Sequence, residues 1–68
     1  MATPKVEHLT NSQIVNIIDE KVHNELHRKI LKRRLCDGLT YEKIGEEFFY
    51  SAFYMKKIVY SYCHLFEE

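Results

Sequence analysis

The spacing between two capping residues constrains this chain more than any other feature. Thr40 and Ser51 stand eleven positions apart. Both are strong helix N-caps, because a short side-chain oxygen accepts a bond from an otherwise orphaned N–H of the first turn. Glu42 falls in the turn after Thr40, where negative charge meets the positive end of the helix dipole. Ile44 and Phe48, four apart, share a face. Behind Ser51, the residues Met55, Ile58, Val59, Tyr62 and Phe66 recur at helical spacing. The pattern predicts a short helix over 40–48 and another over 51–65. Two helices joined by so short a connection have the form of a helix-turn-helix.

The upstream chain is helical as well. Two glycines and one proline in 68 residues leave few places to break a helix, and no strand alternation or repeat is present. Residues 1–9 hold the proline and no periodicity, and read as a flexible N-terminal arm ahead of a domain over 10–68. Thr10 and Gln13 have the spacing of a capping box, and Ile14, Ile17, Ile18 and Val22 predict a first helix over 11–22. Asn24 is placed to cap a second helix carrying Leu26, Ile30, Leu31 and Leu35, which ends at Gly38, where a left-handed C-cap is cheapest. The expectation is all-α: a four-helix compact domain containing a helix-turn-helix over about 40–65.

Composition narrows the class. Hydrophobic content of 46% and charged content of 29% argue against disorder. No apolar run approaches the roughly 18 residues that span a bilayer, and the N-terminus has no signal-like apolar stretch. A cytoplasmic protein without a membrane partner is expected, with Cys36 and Cys63 reduced. A core this small supplies roughly 3–5 kcal/mol, so association with a partner or a second copy is in keeping with its size. Ten basic and ten acidic residues cancel, whereas nucleic-acid binders are commonly basic. The charges are nonetheless segregated: Arg28, Lys29, Lys32, Arg33 and Arg34 crowd the second helix, while Lys56 and Lys57 follow a run of aromatics.

That run, Phe48, Phe49, Tyr50, Phe53 and Tyr54, puts five rings in seven residues. Phe48 and Tyr50 are assigned to the core, with Tyr50 plugging the turn, and Phe49 to the turn itself. Gly45 supplies the small residue needed where the helices cross, and Met55 and Ile58 return apolar surface to the same core.

The stretch "DGLTYEKIGEEFFYSAFYMKKIVY" resembles the C-terminal DNA-binding region (region 4) of sigma-70-type factors and the related small helix-turn-helix regulators of phages and prophages. The likeness covers about residues 24–66: a basic helix, a Gly-containing turn, a Thr-Tyr-Glu-x-Ile start and a Ser-capped last helix. It departs at two places. Gly45 stands where the family often has alanine, and Phe49 where the turn usually has glycine. A bulky residue disfavours left-handed backbone, so a turn of a different type or slightly longer is expected.

The resemblance implies sequence-specific binding of double-stranded DNA in transcriptional control, through a recognition helix beginning at Ser51. It also implies either a dimer reading two half-sites or attachment to RNA polymerase. By helical geometry Ser51, Ala52, Phe53, Lys56, Lys57 and Tyr60 point away from the core and are the candidate base contacts. Ala52 and Phe53 suit a thymine methyl, and the lysines suit guanine or phosphate. Arg28, Lys32, Arg33, Thr40 and Tyr41 are the candidate phosphate contacts. The rival reading is a protein–protein module, an RNA polymerase adaptor or a homo-oligomer, docking through the aromatic face of the last helix. Glu42, Glu46 and Glu47 flanking that face would favour protein over phosphate.

His23 and His27 are four apart, but the zincin pattern needs Glu directly after the first His, where Asn24 stands. No metal site is expected. Glu46 and Glu47 are adjacent and diverge by roughly 100° on a helix, and no phosphate-binding loop or activated nucleophile is present. Neither an enzyme, a cofactor nor a small-molecule substrate is expected.

Overall fold

The computed structural model describes residues 6–66. Four α-helices follow one another: α1 Asn11–Lys21, α2 Glu25–Leu35, α3 Tyr41–Phe48 and α4 Ala52–Ser61. A single 3₁₀ turn, Cys63–Leu65, comes last. The fold is the expected all-α, four-helix domain, and no strand occurs among the described residues.

Each helix begins on a side-chain cap. The Thr10, Asn24, Thr40 and Ser51 oxygens accept from the backbone N–H of Gln13, His27, Lys43 and Tyr54, respectively. Gln13 closes the capping box by accepting from Thr10 N at 2.9 Å. Leu9, directly before the cap, occupies the place of a hydrophobic staple and packs on the core with Val6. The arm expected over 1–9 is therefore fastened from Val6 onward, and residues 1–5 lie outside the described residues.

One core joins all four helices. Ile14, Ile18 and Val22 of the first segment meet Ile30 and Leu31 of α2, Ile44 of α3, and Met55, Ile58 and Val59 of α4. Phe66 closes it from beyond the 3₁₀ turn. The apolar positions read from periodicity are these residues, with Ile17, Leu26, Leu35, Phe48 and Tyr62 partly buried around them.

The helix predicted to run through residue 65 stops at Ser61. There the Ser61 hydroxyl donates to the Ile58 carbonyl at 2.6 Å, and Tyr62 N bonds Val59 O, three residues back, at 3.1 Å. The chain tightens into the 3₁₀ turn, which carries Phe66 inward. Apolar spacing survives that tightening, so periodicity could not detect it.

Two further expectations are corrected at the α3–α4 turn. Phe49 is left-handed, with φ 64° and ψ 39°. Its N–H and that of Tyr50 both donate to the Gly45 carbonyl, the latter at 2.8 Å. A left-handed residue followed by the six-to-one bond from Tyr50 N to Gly45 O is the compact helix closure that glycine usually makes. Tyr50 does not plug the turn. It is 45% exposed and lies beside Tyr54, with ring centroids 5.0 Å apart and the planes tilted by 42°. The closure turns Tyr50 outward.

Gly45 is buried against that turn. A Cβ at this position would run into the Tyr50 carbonyl oxygen and lie 3.3 Å from Ser51 C and Ala52 N. The close crossing of α3 and α4 depends on the missing side chain.

Candidate functional site

The outer face of α4 gathers most of the residues expected to contact bases. Ser51, Phe53, Lys56 and Lys57 are exposed, and Ala52 and Tyr60 are half-buried. Ser51 Oγ is engaged as the cap, accepting from Tyr54 N at 3.2 Å. Phe53, Lys56, Lys57 and Tyr60 surround one shallow hollow of about 300 Å³. A neighbouring hollow of about 460 Å³ shares Phe53 and Lys56 and adds Thr40, Tyr41, Glu42 and Ala52. The start of α3 and the outer face of α4 thus form one continuous surface.

A column of rings and cations ties this surface to α2. The Arg34 guanidinium lies 4.5 Å from the centroid of Tyr41. Tyr41 meets Tyr60 edge to face at 6.4 Å, and the Lys56 ammonium stands 5.7 Å from the centroid of Tyr60. Such contacts are worth roughly 0.5–1 kcal/mol each at exposed sites. Arg34 is steadied further by donating to Leu39 O at 2.9 Å. Its place beside the site was missed in the sequence, since Arg34 reads there as one of five similar cations. The Tyr41 hydroxyl is buried and without a partner, so it is not offered to a phosphate in this conformation.

The other basic residues proposed as phosphate contacts each have an intramolecular partner, Lys32 and Arg33 at the solvent-exposed surface. Arg28 donates to the carbonyls of Val22 and Asp19, the latter at 2.7 Å, and so caps the end of α1. Lys32 pairs with Asp19 at 3.0 Å. Arg33 reaches Asp37 at 3.0 Å and Glu47 at 3.1 Å, and these carboxylates, Asp37 foremost, raise its pKa further above neutrality. Lys32 and Arg33 line a separate hollow with Lys29, Asp37, Glu47 and Phe48. Of the five residues, Thr40 and Tyr41 adjoin the α4 face.

No protein-family model matches this sequence, and neither a curated protein nor a solved structure matches it.

The acids divide in the same way as the bases. Glu47 is spent on Arg33, whereas Glu42 borders the hollow that holds Phe53 and Lys56. Helix α4 itself contains no acidic residue. Four large apolar side chains are strongly exposed, all at the turn and the first turn of α4: Phe49 at 93%, Tyr50 at 45%, Phe53 at 75% and Tyr54 at 41%. His27 is occupied elsewhere, its Nδ1 lying 2.6 Å from the Tyr62 hydroxyl. Among the described residues no three His, Cys, Asp or Glu side chains converge on one point. No helix there is long and apolar enough to cross a membrane.

Proposed function

We propose that this protein binds double-stranded DNA, with α4 in the major groove. The observation that carries the reading is the helix-turn-helix whose last helix, free of acids, turns Phe53, Lys56 and Lys57 outward around one hollow. A helix about 10–12 Å across with its side chains fits a groove about 12 Å wide. The likeness of residues 24–66 to region 4 of sigma-70-type factors and to phage regulators extends the proposal to transcriptional control. Two half-sites read by a dimer, or attachment to RNA polymerase, would supply the affinity that one small, neutral domain lacks.

Because Arg28, Lys32 and Arg33 already have partners within the chain, the electrostatic contribution is assigned mainly to Lys56 and Lys57. Two phosphate contacts give a log–log salt slope of about −2. The test is fluorescence anisotropy on a mixed pool of duplex DNA at low and moderate salt, comparing the wild type with the Lys56→Glu/Lys57→Glu variant. Salt-sensitive binding that the double change abolishes is expected. A correctly folded domain that binds nothing at low salt refutes the proposal.

The exposed rings favour a second reading, a protein-docking surface built on Phe49, Tyr50, Phe53 and Tyr54. Aromatics are enriched at the centres of protein interfaces, and this cluster carries no charge of its own. Light scattering on the wild type and on Phe53→Ser separates this alternative. Self-association that the substitution removes would favour it.

A further inference from the structure

The hydrogen-bonding repertoire of α4 is narrow. Adenine is read in the major groove by Asn or Gln, guanine by Arg or Lys, and cytosine by Glu or Asp. From Ser51 through Ser61 the chain contains no Asn, Gln, Arg, Asp or Glu. The Ser51 oxygen already accepts from Tyr54 N, and the Lys56 ammonium stands over Tyr60. The centre of the face is apolar instead: the Phe53 ring, three-quarters exposed, borders the hollow completed by Tyr60, Lys56 and Lys57.

An exposed ring gains by meeting another apolar group. Bases in a duplex are stacked, so their faces are closed to it. The one apolar group on the major-groove edges of the base pairs is the 5-methyl of thymine. We infer that α4 selects sites by this methyl group, received against Phe53 with Tyr60 beside it, while Lys57 and Lys56 supply guanine or phosphate contacts. The inference rests on the DNA-binding reading and adds the chemical feature that is read.

The probes are four alternating duplexes: poly(dA-dT), poly(dA-dU), poly(dG-dC) and the same G·C polymer carrying 5-methylcytosine. Comparing both pairs separates the methyl group from base identity and duplex shape. The wild type is expected to bind the methyl-bearing member of each pair more tightly, by about fourfold for each methyl in contact, the equivalent of one buried carbon. Phe53→Ala, an exposed position whose loss leaves the core intact, is expected to bind the methyl-bearing and methyl-free members of each pair alike.

Equal binding within each pair overturns the methyl inference and leaves DNA binding standing. A methyl preference that survives Phe53→Ala overturns it as well. If none of the four duplexes binds at low salt, the underlying reading fails together with the inference.

Discussion

Replacing Gly45 by alanine sets two well-defined effects against each other. Alanine is the better helix former by about 1 kcal/mol. In this fold, however, a Cβ at residue 45 meets the Tyr50 carbonyl, and its other near neighbours are Ser51 C and Ala52 N at 3.3 Å. All three are backbone atoms of the turn and cannot swing aside as a side chain would. Relief requires α3 and α4 to separate, which strains the two bonds donated by Phe49 and Tyr50 to Gly45 O. Overpacking of this kind costs roughly 1–3 kcal/mol. With backbone atoms as all three near neighbours, the upper half of that cost applies, about 2–3 kcal/mol. After the propensity gain, Gly45→Ala should still lose about 1–2 kcal/mol, a large share of the roughly 3–5 kcal/mol available to so small a domain. Urea unfolding followed by circular dichroism should show a lower midpoint with an unchanged slope. A variant as stable as the wild type, or more so, would refute the close crossing and with it the tight attachment of α4 to α3.

The strain at Phe49 leads to the opposite result. Left-handed backbone costs a non-glycine residue roughly 1–2 kcal/mol, and this ring buries almost nothing. Allowing for glycine's greater freedom in the unfolded chain, Phe49→Gly should stabilise by about 0.5–1 kcal/mol, visible as a rise in the urea midpoint. Arg28→Ala removes a charged donor from the Val22 and Asp19 carbonyls and should cost about 1.5 kcal/mol in the same unfolding assay. Hydrogen exchange should locate the loosening at the end of α1. Burial, and Asp37 after it, push the Cys36 thiol above its ordinary pKa. The folded state therefore favours the protonated form, so alkylation near neutrality should be slower for folded than for unfolded chain, as mass spectrometry can follow. By the same sign, this group's contribution to stability is present below the ordinary thiol range and lost as pH rises through the folded value.

The helices were legible because each is announced locally. Thr10, Asn24, Thr40 and Ser51 sit where apolar periodicity starts, and each makes the predicted bond. The outward set on α4 followed from the same periodicity. What could not be read depends on pairs far apart in sequence. The partnership of Lys32 with Asp19 and of Arg33 with Glu47 requires knowing how α2 lies on α1 and α3. Tyr50 was misplaced for a related reason. Its direction is fixed by a left-handed Phe49, a conformation that the bulk of the residue argues against.

The ring column that joins Arg34, Tyr41, Tyr60 and Lys56 has an entropic consequence. A free lysine side chain carries about 2 kcal/mol of rotamer entropy, all of it at stake when an anion fixes the ammonium. Lys56, resting over Tyr60, has surrendered part of that freedom before any ligand arrives. Lys57 is not in that column, so the two adjacent lysines, equal in charge, differ in readiness.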